Sequence, residues 1–294
     1  MLTADDTVLR QGGPAREPER VTRDVTARGI RMRVVEAGDV RSEPLLLIHG
    51  FLASHTAFDD VIGELARSFY VLAPDLPGAG DSEKPSPARF SYGVDAFAEA
   101  MADLIAAYGL GRTGVLGHGL GGAIAIALAS RYAELVTKLV LVAPHCYSPR
   151  ASARMRLALA PLVGSFYFKQ LFGRGAFKGY FRDELFAPAP DVPYARIDRL
   201  YDAFNTPSGR ESAYAVLREM RDTRPIVAQT TRLRPPTLIA WGREDAVYPA
   251  QQALRLAREI AGSRLELFDA GHSPHDAHPT AFSAAVRRFF EGPG

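Results

Sequence analysis

The chain has 294 residues, 47% of them hydrophobic, and a formal charge of +2. That length supplies a substantial core for one domain with an insertion or for two small domains, and the near-balanced charge points to no nucleic-acid partner. A single cysteine, Cys146, excludes an intramolecular disulfide and a cysteine-based zinc site and reads as a small buried thiol.

The N-terminal stretch MLTADDTVLRQGG is polar and has no apolar signal-peptide core. No run approaches the roughly 20 apolar residues that span a bilayer, so no integral membrane segment and a cytoplasmic location are expected. Residues 1–20, rich in Arg, Glu, Gly and Pro, read as an N-terminal extension. Residues 21–37 alternate as a hairpin turning near Arg28 and Gly29. The continuous apolar run Leu45–Ile48 marks a strand buried on both faces, followed by a helix over 58–65. A second buried strand, 69–73, leads into PDLPGAGDS, and 95–108 has the period of an amphipathic helix.

The stretch 112–132 then reads RTGVLGHGLGGAIAIALASRY: a short apolar run, a glycine cluster and a small-residue helix. Strand, sharp turn and helix are expected there. Two kinds of site use that geometry. A G-x-S-x-G elbow lifts a serine on a strained turn, and its serine would stand at position 119, which is glycine. Alternatively Gly117, Gly119 and Gly122 spell the G-x-G-x-x-G of a dinucleotide site, but the next strand, 136–142, ends in APHC with no acid to hold a ribose. These residues alone leave the two open.

Residues 147–230 break the alternation of strand and helix. They carry Phe166, Tyr167, Phe168, Phe172, Phe177, Tyr180, Phe181 and Phe186, and read as a mostly helical insertion. The aromatics suit the insertion's own core, a pocket lining or a membrane-facing surface. Alternation resumes with a strand over 237–241, a helix over 250–261, a strand over 264–268 and a helix over 280–291. An α/β architecture with a mostly parallel sheet covered on both faces follows.

Four further stretches choose between the two sites: His49-Gly50-Phe51, Asp75-Leu76-Pro77-Gly78-Ala79-Gly80-Asp81-Ser82, Trp241-Gly242-Arg243-Glu244-Asp245 and Gly271-His272-Ser273-Pro274. Together with the elbow they resemble the α/β-hydrolase family, in its chain order and each after an expected strand. The resemblance implies the α/β-hydrolase fold, with residues 21–146 and 231–294 as its core and 147–230 as its helical lid. It also implies that Asp245 and His272 are the triad acid and base, and that the N–H groups of Phe51 and Leu120 form the oxyanion hole. Gly119 stands at the nucleophile position. A serine hydroxyl is a weak nucleophile until a histidine takes its proton, and the histidine needs a carboxylate to fix its tautomer. Everything but the attacking atom is present.

His118 is common beside the nucleophile in this family and needs no catalytic role. Asp75 and Asp81 suit a structural loop. His272, His275, Asp276 and His278 invite a metal reading, but beside Pro274 and Pro279 no regular spacing brings them to one centre. Neither metal nor cofactor is expected, and the partner is a small apolar substrate or ligand. Esters, lactones and C–C bonds are all cleaved by relatives with these loops. Gly119 leaves three readings: a serine hydrolase with its nucleophile replaced, a pseudoenzyme kept for binding, or chemistry that uses His272 and Asp245 as a general base without a side-chain nucleophile.

Overall fold

The structure, a computed structural model, describes residues 18–150, 152–188 and 191–292. Most of the expected N-terminal extension therefore lies outside the described residues; Arg20, assigned to it, is the first residue of a strand. Strands β1 (Arg20–Ala27) and β2 (Ile30–Ala37) form the expected hairpin. Its two-residue turn has both φ angles positive, 53° at Arg28 and 70° at Gly29, which matches the right-handed twist of paired strands.

Six further strands follow: β3 (Glu43–Ile48), β4 (Phe69–Pro74), β5 (Thr113–His118), β6 (Val136–Val142), β7 (Thr237–Gly242) and β8 (Arg264–Phe268). They join the hairpin in one eight-stranded sheet of order β1-β2-β4-β3-β5-β6-β7-β8. β1 and β2 are antiparallel additions, and β4 onward is parallel. The apolar runs are central because a parallel strand is covered on both faces: Leu45, Leu46, Leu47 and Ile48 are fully buried. Edge strand β1 is mostly exposed and carries Arg20, Arg23 and Asp24, charges that discourage pairing with another chain.

Each face has its own core. On one, α1 (Asp59–Leu65) packs with the C-terminal helix Pro279–Glu291 through Val61, Ile62, Phe282 and Val286. On the other lie α2 (Val94–Ala107) and α3 (Leu120–Arg131), with the segment between β6 and β7 above them. Among its described residues that segment is helical and contains no strand. Phe168, Phe172 and Phe177 are fully buried, with the Phe168 and Phe172 rings stacked at 5.2 Å, so these aromatics form the segment's own core. Tyr180, Phe181 and Phe186 face a cleft at Gly119, and Phe166 faces solvent.

The centre of the sheet depends on close backbone approach. A methyl group on Gly117 would stand 2.2 Å from the Gly121 carbonyl oxygen, and one on Gly121 would stand 2.0 Å from that of Ile48. Rigid backbone lies on both sides, so neither collision is relieved by a side-chain shift. Gly121→Ala is expected to cost about 2 kcal/mol or more. Gly111→Ala, with open space at its Cβ, stays within about 0.5 kcal/mol of the parent. Urea denaturation of the two variants checks this; a Gly121→Ala protein as stable as the parent would contradict the packing.

Candidate active site

The loops that follow β3, β5, β7 and β8 meet at the carboxyl edge of the sheet, where open parallel sheets place their sites. Position 119 is the turn between β5 and α3. Its φ and ψ are 55° and −115°, a conformation that costs a residue with a side chain about 1–3 kcal/mol. Four backbone hydrogen bonds hold it. Gly119 N–H donates to the Val142 carbonyl at 3.0 Å, and the Gly119 carbonyl accepts from Gly122, Ala123 and His145 at 3.0, 3.2 and 2.8 Å.

A Cβ built on Gly119 would lie 3.4 Å from His272 Nε2, with Gly50 Cα next at 3.9 Å. A hydroxyl one bond further out is within hydrogen-bonding reach of that nitrogen. On the far side of the ring, His272 Nδ1 donates to Asp245 Oδ2 at 2.8 Å. The other Asp245 oxygen accepts the N–H groups of Val247 and Tyr248, both at 2.8 Å. The Asp245 side chain is fully buried, and these three partners fix both the ring tautomer and its orientation. Phe51 and Leu120 line the same cleft as Gly119 and His272. Among the described residues no protein acceptor takes the N–H of either.

His118 sits behind this pair with its ring 4.6 Å from that of His272, and its Nε2 donates to the His272 carbonyl at 3.1 Å. Burial holds its pKa well below the ordinary imidazole value, and the neighbouring His272 and His275 add to that. Burial likewise lowers His275 to about 3 and raises the Asp276 carboxyl to about 6 against the pull of Arg196. Arg196, from the helix Tyr194–Phe204, donates to Asp276 Oδ1 at 2.7 Å and to the Thr56 carbonyl at 2.8 Å. Among the described residues no three His, Cys, Asp or Glu side chains converge to hold a metal. His278 points elsewhere, donating to the Asp269 carbonyl at 2.9 Å.

Asp75 and Asp81 are not in the cleft lining at Gly119. Asp75 instead buttresses the loop that carries Phe51. Its Oδ1 accepts both the N–H and Nδ1–H of His55 at 2.8 Å, and its Oδ2 accepts from Asp81 N–H at 2.7 Å. His49 then donates to its neighbour's carbonyl at Gly50 and accepts the Leu76 N–H at 2.9 Å. The residues that sequence reasoning missed are Tyr248, Val247, Arg196 and His145. Tyr248 OH donates to His145 Nδ1, whose other nitrogen donates to the Met220 carbonyl at 2.9 Å. Val247 and Tyr248 act through backbone N–H groups, which no residue-type signal reveals.

The cleft is narrow and mostly apolar: Phe51, Leu120, Tyr180, Phe181, Leu200 and Val247 wall it around Gly119 and His272. A second chamber, lined by Leu76, Phe97, Leu200, Phe204 and Val216, meets it at Phe51 and Leu120.

Residues 45–285 match the family described as the alpha/beta hydrolase family. A pimeloyl-[acyl-carrier protein] methyl ester esterase of Neisseria meningitidis is 32% identical over 249 residues, 84% of this chain and 93% of that one. A 2-hydroxymuconate semialdehyde hydrolase of a Pseudomonas species is 30% identical over 286 residues, covering 94% and 95%. The solved structure of a meta-cleavage product hydrolase from Pseudomonas fluorescens shares the fold, with a TM-score of 0.72 at 24% identity over 92% of this chain and 97% of that one. The chain belongs to the α/β-hydrolase family.

Two outcomes follow from this geometry. Gly119→Ser is expected to lower stability by about 1–3 kcal/mol, partly offset because glycine loses more chain entropy on folding. A melting temperature that rises on that substitution would contradict the strained turn. The second concerns His55 and Asp75. Burial disfavours charge on both, yet their hydrogen bond overrides it, raising the His55 pKa and lowering that of Asp75. The stability from His55 is full below its ordinary value of about 6.5 and is lost as pH rises through the higher folded value. That from Asp75 is present above its ordinary value and is lost as pH falls through the lower folded one. His55→Gln should therefore cost most in mildly acidic buffer and progressively less as the solution turns alkaline, as urea titrations across pH would show.

Proposed function

We propose that this chain is a hydrolase of small apolar substrates in which Gly119 occupies the nucleophile position, so that acyl-enzyme chemistry is lost or strongly reduced in the protein as it stands. The supporting observation is the direction in which a Cβ at 119 would point: toward His272 Nε2 at 3.4 Å, on a ring whose other nitrogen is held by Asp245 at 2.8 Å. The base is oriented for a hydroxyl that the chain lacks. Phe51 N–H and Leu120 N–H serve as the oxyanion donors, and backbone donors survive a change of side chain at 119. Residues 147–230 act as the lid over a core of 21–146 and 231–294, since Tyr180, Phe181, Leu200 and Met220 from that segment wall the cleft. The relatives' esterase and semialdehyde-hydrolase activities carry over as a class, hydrolysis of an ester, lactone or C–C bond, and not as a named substrate.

One observation favours a second reading. Among the described residues other than its chain neighbours, only His272 Nε2 and Gly50 Cα lie within 4 Å of a Cβ at 119, so the base faces free space that a water or a substrate proton can enter. In that reading His272 acts as a general base directly. A protein retained only for binding has no physical need of the intact pair.

Hydrolysis of an activated p-nitrophenyl ester separates these readings. Triad members act as a unit, so Gly119→Ser is expected to raise turnover by on the order of 10⁴-fold, and His272→Ala in that background to remove the gain. Turnover by the Gly119 protein that His272→Ala abolishes would favour the direct-base reading. A Gly119→Ser protein that folds and binds ligand yet stays inert would overturn the proposal in favour of a binding protein.

A further inference from the structure

Among the described residues, nine large apolar side chains are left exposed, and five of them fall within residues 157–171: Leu157, Leu162, Val163, Phe166 and Leu171. Leu162 is fully exposed, Phe166 is 61% exposed and Leu171 60%. Singly such residues need no explanation, but these are neighbours in space. The helix Ala153–Ala158 turns back at Leu159–Val163 into Gly164–Phe166 and the π-helical stretch Tyr167–Leu171. A methyl group on Gly164 would stand 2.3 Å from the Ala158 carbonyl oxygen and 3.1 Å from that of Leu157, so the two arms of this hairpin lie back to back. Leu162, at its tip, holds a positive φ of 67°, which a leucine adopts only at a cost. The result is a protruding apolar tip, a shape that sinks into a surface rather than a groove that receives a ligand.

We propose that this hairpin docks the protein on an anionic lipid surface. Residues 152–173 contain Arg154, Arg156 and Lys169 and no aspartate or glutamate. Arg156 is exposed next to Leu157. Apolar side chains at the tip with long cationic side chains beside them match the acyl boundary and the headgroup layer of a bilayer, and the cations' stems reach outward to the phosphates. Arg154 also has the acidic partners Asp183 and Glu184, and Lys169 has Glu211, all outside the hairpin, so among the described residues Arg156 is the hairpin's cation without an acidic partner. A second copy of this chain fits less well, because two hairpins facing each other across a two-fold axis would oppose like charges. No helix among the described residues is long and apolar enough to cross a membrane, so the contact is peripheral.

The hairpin's inner face gives the docking a use. Met155 and Leu159 line a cleft that continues past Tyr180 and Tyr248 to Phe51, at the edge of the candidate active site. A docked hairpin lets an apolar substrate pass from the lipid into that cleft. This access route rests on the proposed function; the docking itself does not, and its test needs no turnover.

Co-sedimentation of the protein as it stands with vesicles measures the docking. With phosphatidylcholine mixed with phosphatidylglycerol, the protein is expected in the pellet, with partial release at high salt. The double variant Leu162→Ser, Phe166→Ser should remain in the supernatant while keeping its melting temperature, because both side chains are exposed. Arg156→Gln with Lys169→Gln should weaken binding to the mixed vesicles by on the order of tenfold. No binding to the mixed vesicles, or binding that survives the serine double variant, would overturn the proposal. So would sedimentation velocity showing a dimer that the same double variant dissociates.

Discussion

The close approach of α3 to the central strands is the constraint on which the site depends. Gly117 and Gly121 permit backbone contacts that any side chain would block at close to 2 Å. Because those contacts hold, the chain must reverse between β5 and α3 within one residue. That residue takes a φ of 55°, and its missing side chain points at His272. The same approach puts the first N–H groups of α3 toward the cleft, where partial positive charge accumulates at a helix start. The turn, the direction of a Cβ at 119 and the free N–H at the start of α3 are thus consequences of a single packing requirement. A glycine at 119 fits that turn more comfortably than a serine does.

Burial organises the charges around this turn. His118 and His275 are kept neutral by desolvation, which leaves His272, the ring held by Asp245, as the histidine oriented toward position 119. Asp245 is held by two backbone N–H groups as well as by the imidazole, so its charge is compensated without an arginine that would compete for the ring. A second histidine–aspartate pair, partly buried His55 with buried Asp75, does different work. It clamps the loop after β4 against the loop after β3 and so fixes where Phe51 presents its N–H.

Much of this was legible in the residues because the central strands are continuous apolar runs and each functional loop follows one of them. The order of strands was not, since continuous runs carry no register. The elbow glycines were ambiguous in isolation: they also satisfy a dinucleotide pattern, and the loops around Asp245 and His272 were needed to choose between the two. The structure supplies the partner that the sequence does not name for Gly121, the Ile48 carbonyl opposite it. Aromatics over 166–186 could not be divided by composition into core, cleft and surface, and the structure divides them among all three. Tyr248 and Val247 were invisible for a simpler reason, since any non-proline residue there would offer the same N–H. The short helix at Pro274–Ala277 was likewise hidden in a proline-flanked loop.

The central claim is that position 119 lies in a preformed acyl-transfer site from which one atom group is missing. Intact-mass and peptide-mapping analysis of Gly119→Ser after exposure to a fluorophosphonate tests it most directly. The account expects one adduct, on residue 119, formed slowly or not at all when His272→Ala is added, and no adduct on the unaltered protein. Labelling elsewhere, or a folded Gly119→Ser protein that takes no label, would contradict it.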